Sequence, residues 1–158
     1  MGVVYTLAIN NFQNIKKDKI NISLKNIKRY LQNIKHKNSV ELLCLNKCST
    51  CRVYVDGKLY EDANDLNGFL DDSVEVYKYD FSLGFVAQSK KVYFNKQDVE
   101  KDVCFSLTLD KKGVSDQIVV VFKEKVYDFT SYLENVGVYD SLEELSNKKS
   151  KQIQEILQ

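Results

Sequence analysis

The 158-residue chain has no proline and no tryptophan, one histidine, one methionine, six glycines and two arginines. No apolar run approaches the ~18 residues a membrane-spanning helix needs, so no membrane span is expected. The opening Met1-Gly2-Val3-Val4-Tyr5-Thr6 places no basic stretch ahead of an apolar core, so no secretory signal is expected either. The same residues fit the loose N-myristoylation pattern, but they read as a core strand and not as the free arm an acyl chain needs. With His36 alone, paired-histidine ligation is excluded. There is no Walker loop, no G-x-S-x-G elbow, no H-E-x-x-H and no D-x-D-x-D-G calcium loop. An enzyme built from this chain would lack the usual acid–base pairs, so none is expected. No Pro/Gly/Ser-rich linker divides the sequence. One domain over 1–158 is therefore expected, with 1–80 and 81–158 as sub-lobes if it divides.

What is present suits a globular fold. Hydrophobic residues make up 44% of the chain and charged residues 28%, enough apolar surface to exclude whole-chain disorder. Lysine outnumbers arginine 21 to 2, and there are 13 asparagines, a bias towards AT-rich codons that points to an AT-rich genome. The net charge of +1 hides an asymmetry. Residues 1–60 carry 11 basic and 3 acidic side chains; residues 61–158 carry 12 and 19. Either the basic third meets an acidic partner, or the two ends pair with each other in the fold.

The apolar, partly β-branched run over 3–9 predicts a buried strand, followed by a polar loop over 10–21. Residues 23–36 predict a helix capped by Ser23. Leu24, Ile27, Leu31 and Ile34 form its apolar stripe, and Lys25, Lys28, Arg29 and Lys35 its basic face. A strand is expected over 40–45. Asp56-Gly57 between alternating apolar residues predicts a hairpin, because both turn residues need positive φ. A short helix over 62–70 and a strand over 74–79 complete a β-α-β-β-α-β order of the ferredoxin-like type. The second half predicts strands at 82–87, 91–94, 103–109 and 117–122, an antiparallel β meander. Beyond it, a helical tail in two pieces is expected over 129–157, with Gly137 as a break. The fold class expected is α+β: a ferredoxin-like first half, the meander, then a C-terminal helix.

Cys44, Cys48 and Cys51 give C-x3-C-x2-C, soft ligands at turn spacing for zinc or an iron–sulfur cluster, with Cys104 or His36 to complete the set. The competing reading is small buried core residues. In a cytoplasmic, reducing setting all four cysteines are expected as thiols. Cys48-Ser49-Thr50-Cys51-Arg52-Val53-Tyr54-Val55 resembles the cluster-binding loop of adrenodoxin-type ferredoxins. It departs from that family in the position of Cys44, in the missing Gly-rich stretch and in the distance to Cys104. Val3–Asn10, the helix and Ser49-Thr50-Cys51-Arg52 are similar in order to the start of glutamyl-tRNA reductases. That resemblance implies Cys51 as a nucleophile, although no Asn follows it and no dinucleotide-binding domain is present. Lys125–Leu133 resembles the cytochrome b5 stretch before its haem-ligating H-P-G-G, where this chain has Val136-Gly137-Val138.

Lys25, Lys28, Arg29, Lys35 and Lys37, preceded by Lys16, Lys17 and Lys19, have the charge to track phosphates, with Tyr30 and Tyr54 to stack bases. The RNP aromatic pattern of RNA-recognition motifs is missing. Ten tyrosines favour a protein interface. The function expected first is therefore a non-enzymatic protein-interaction module of the inhibitor, immunity or accessory kind, encoded by a bacterium or a phage, viral or mobile element. A nucleic-acid-binding module on the basic helix is the alternative, and a thiol or zinc protein at Cys44, Cys48 and Cys51 the third.

Overall fold

The structure is a computed structural model that describes residues 21–63, 65–94, 97, 100–132 and 135–158. The strand expected over 3–9 and Lys16, Lys17 and Lys19 lie outside the described residues. Helix α1 spans Ile27–Gln32. Among the described residues ten strands follow: β1 Ser39–Leu45, β2 Thr50–Val55, β3 Lys58–Leu59, β4 Glu75–Asp80, β5 Gly84–Ala87, β6 Lys91–Phe94, β7 Glu100–Asp110, β8 Val119–Phe122, β9 Lys125–Asp128 and β10 Gly137–Tyr139. Helix α2, Leu142–Ile156, ends the chain. The strands build two five-stranded antiparallel sheets, ordered β3-β2-β1-β7-β6 and β10-β9-β8-β4-β5. The protein is thus α+β, with two antiparallel sheets and a C-terminal helix.

Alternation explains the layers. Val40, Leu42 and Cys44 of β1, Val53 of β2, and Phe105, Leu107 and Leu109 of β7 share one buried face. Val120 and Phe122 of β8 meet them from the second sheet, with Ile118 and Phe129 alongside. The helical stripe Leu24, Ile27, Leu31 and Ile34 is buried in this same core, as its spacing predicted. The opposite residues of β8 and β9, Val119 and Val126, pack under α2 through the fully buried Leu145. Ser141 caps that helix by accepting a hydrogen bond from the Glu144 backbone N–H at 3.1 Å. On the far face of the first sheet, Leu43, Leu45 and Val103 form a third cluster with Tyr54 and Tyr93.

Asp56-Gly57 makes the expected turn between β2 and β3, with φ of 51° and 81°. The Asp56 carboxylate also accepts the backbone N–H groups of Lys37, Asn38 and Ser39, which tethers the entry to β1.

Several expectations are corrected. Helix α1 is shorter than 23–36. The Asn26 side chain accepts the Ser23 backbone N–H at 2.9 Å, holding 23–26 as a turn, and Asn26 takes the N-cap position in place of Ser23. The described residues of 62–70 form turns instead of a helix: the Asp65 carboxylate accepts the Asn67 backbone N–H, and the Asn67 side chain is drawn to the Cys51 backbone N–H, 16 residues away. Leu66 and Leu70 are nonetheless buried anchors. The strand expected over 74–79 is β4, and it belongs to the second sheet. Without the second helix and with β4 elsewhere, the described residues do not close a single ferredoxin-like sheet. Among its described residues the tail holds one helix and not two, and Gly137 opens strand β10.

Candidate functional site

The cysteines are paired: Cys44 with Cys51 across β1 and β2, and Cys48 with Cys104 across 56 residues of sequence. This corrects the expectation of four thiols. Cys44 and Cys51 are register partners in the β1–β2 ladder, so folding sets their Cα atoms 4.0 Å apart. Cys104 sits at the β7 bulge, where Cys44 pairs with Phe105 and Leu45 with Val103, so the extra residue can turn towards Cys48. The sulfurs of Cys44, Cys48 and Cys51 are therefore committed to each other and to Cys104. They do not form the zinc or iron–sulfur site expected of them, and Cys51 is not a free nucleophile. Among the described residues, no group of three or more His, Cys, Asp or Glu side chains is placed to hold a metal. Sequence spacing could not show this, because the fourth cysteine arrives from a distant strand.

The basic helix is divided by the fold. Lys25, Arg29, Lys35 and Lys37 are exposed, but Lys28 is buried, only 3% accessible. Its Nζ donates to the Ser131 carbonyl at 2.5 Å and to that of Tyr132 at 3.5 Å. Burial pushes its pKa down, partly offset by the charge of Asp128. Lys28 is thus a fastener between α1 and the β9–β10 connection, and is removed from the phosphate-binding set. Arg29 donates to Asn135 Oδ1 at 2.5 Å. Tyr30 and Tyr54, expected to stack bases, are half-buried against hydrophobic clusters.

His36 links the start of β1 to the end of β7. Its Nδ1 and Nε2 lie 2.8 Å and 2.9 Å from the carbonyl oxygens of Ile34 and Asp110. Two carbonyl acceptors favour the doubly protonated ring, so its pKa is raised above 6.5. A raised folded-state pKa means stability that is fully present below pH 6.5 and lost as pH rises through the folded value. The ring resonances of this one histidine should titrate above 6.5 by NMR. His36→Gln should abolish that segment of the stability–pH curve; a titration at or below 6.5 refutes the assignment.

The most distinctive surface is the open end of the two sheets. Each sheet terminates in an edge strand there, β6 and β5, which are consecutive in the chain. Tyr93 packs on the far face of the first sheet, so alternation sends Val92 and Phe94 to the face turned towards the second sheet. Phe85 packs under α2, so Val86 faces the first sheet. Yet Val86, Val92 and Phe94 are exposed. Phe81 and Leu83 project from the β4–β5 turn, 75% and 77% accessible. That turn is held: the Asp80 carboxylate accepts the backbone N–H groups of Ser82 and Leu83, and Tyr79 lies edge-on to Phe81 at 6.4 Å. A cavity of about 290 Å³ is lined by Val74, Val76, Val103, Phe105 and Lys91. The Lys91 Nζ donates to Ser106 Oγ at 3.3 Å. Sequence reasoning found both strands but not this surface, because period-2 alternation shows that two faces differ and not which of them stays uncovered.

Among the described residues no helix is long and apolar enough to cross a membrane. Comparison with protein-family models, curated proteins and solved structures gives no match.

Proposed function

We propose that the protein is a non-enzymatic interaction module whose partner docks at the open end formed by the β4–β5 hairpin and β6. The observation that carries this is the concentration of Phe81, Leu83, Val86, Val92 and Phe94. These five are half of the large exposed hydrophobic side chains among the described residues, and they fall in one short stretch of chain. Aromatic side chains on a preset turn supply contact area at little ordering cost, and edge strands offer backbone groups for strand addition. An inhibitor, immunity or accessory role suits such a surface. Two disulfides favour an oxidising compartment over the cytoplasm expected from sequence.

The test is tagged capture from source-cell lysate, treated with nuclease, comparing the unmodified chain with a Phe81→Ala/Leu83→Ala/Phe94→Ala variant. A protein held by the first and weakened at least about tenfold in the second supports the reading, since each central anchor contributes above ~1 kcal/mol. A partner retained by both places the contact elsewhere. A catch lost to nuclease transfers the reading to Lys25, Arg29, Lys35 and Lys37, the exposed members of the basic set.

A further inference from the structure

We propose that the Cys48–Cys104 disulfide is a thiol-exchange site, attacked at Cys104 from an adjoining cavity, and that its reagent is a small acidic thiol. The two disulfides differ in access. Cys44 is fully buried and Cys51 is 7% exposed, with their bond enclosed between β1 and β2 in the core. Cys48 is fully buried as well, but Cys104 is only partly buried. Cys104 forms part of the wall of a cavity of about 480 Å³, and of the 290 Å³ cavity that shares Val74, Lys90 and Val103 with it. A space of that size accepts a molecule of a few residues.

The cavity has a charge preference. Lys47, Lys90 and Lys101 line it, against Asp72 and Asp102. The lining thus carries one more positive than negative charge, which favours an incoming thiolate and a carboxylate carried on the same molecule. A second observation concerns the leaving sulfur. Asn46, Lys47 and Cys48 are three successive non-glycine residues in the left-handed region, with φ of 52°, 55° and 62°. That conformation is strained for residues that carry a Cβ. The bond to Cys104 holds the turn in place, and Asn46 and Lys47 are themselves part of the cavity wall. Breaking the bond lets the turn relax, which slows reclosure and reshapes the cavity.

The chemistry balances with the thiol as sole co-reactant. A thiolate attacks Cys104 Sγ; the new S–S bond forms as the Cys48–Cys104 bond breaks, and the electron pair leaves on Cys48 Sγ, which takes a proton from water. A second thiolate attacks the external sulfur of the mixed disulfide, releasing Cys104 as thiolate. Two external thiols are oxidised to one disulfide, and one protein disulfide is reduced by two electrons.

The experiment treats the native, oxidised protein with reduced glutathione as the acidic thiol or cysteamine as a cationic one. Samples are quenched with iodoacetamide and mapped by mass spectrometry. Cys48 should be alkylated and Cys104 should carry the mixed disulfide, at a rate at least about tenfold above any opening of Cys44–Cys51, which first needs local unfolding. Compared per thiolate, glutathione should react about fivefold faster than cysteamine at low salt, and the gap should close near about 1 M salt. The exchange site is overturned if Cys44–Cys51 opens first, if both bonds open together, or if the mixed disulfide sits on Cys48. Glutathione no faster than cysteamine at low salt overturns the acidic-thiol assignment. The salt comparison uses the unmodified chain, so it does not depend on any variant folding.

Discussion

Replacing Cys48 and Cys104 together by alanine should cost the oxidised protein about 4 kcal/mol of stability, and replacing Cys44 and Cys51 about 2 kcal/mol. The difference follows from loop length. The first bond joins residues separated by 56 positions and the second by 7, so the first removes far more freedom from the unfolded chain. Both changes delete similar sulfur volume from the same region of the core, so their difference reads the loop term less the backbone strain that the Asn46–Cys48 turn releases. Urea unfolding of the two double variants should show the Cys48/Cys104 variant melting first. Equal losses would show that local packing, and not chain closure, sets the contribution of these bonds. The prediction also bears on compartment. If the longer bond supplies a large part of the net stability, a reducing environment leaves a much weaker fold.

Lys28→Ala should destabilise the protein by about 2–3 kcal/mol, whereas Lys25→Ala and Lys35→Ala should stay within about 0.5 kcal/mol. All three lysines belong to the same stretch of sequence, but the fold gives them different roles. Removing the Lys28 side chain deletes its hydrogen bonds to the Ser131 and Tyr132 carbonyls and leaves its buried volume unfilled. Lys28→Met tests the cause: it restores most of the volume but no donor, so it should recover only part of the loss. Full recovery by methionine would assign Lys28 to packing alone. The result also decides how the nucleic-acid alternative is tested. Charge reversal at Lys28 would unfold the region, so Lys25, Lys35 and Lys37 are the informative positions. Reversing those three should flatten the salt dependence of any nucleic-acid binding.

Local chemistry was legible in the sequence wherever it acted over a few residues. The apolar stripe Leu24, Ile27, Leu31 and Ile34 is buried as its spacing required. Asp56-Gly57 turns where positive φ is needed, and strand β6 at Lys91–Phe94 matches its expected bounds. These features depend on periodicity and turn preference, which a short window contains. The same window misled at 62–70, where Asp and Asn side chains bond the backbone and displace a helix that the apolar spacing alone suggested.

Longer-range facts were decided only by the tertiary structure. Cys48-x-x-Cys51 looks like a ligand pair until β7 brings Cys104 to Cys48 and the β1–β2 register brings Cys44 to Cys51. Lys28 looks like part of a solvated face until residues 131 and 132 close over it. Val86, Val92 and Phe94 stand on strands whose uncovered face the alternation does not reveal, and in the fold they are exposed. By itself the sequence determined which residues are apolar, at what period they recur, and where the chain must turn. The folded structure decided which distant strand each residue meets, because pairing and coverage are set by the sum of contacts over the whole chain and not by any segment within it.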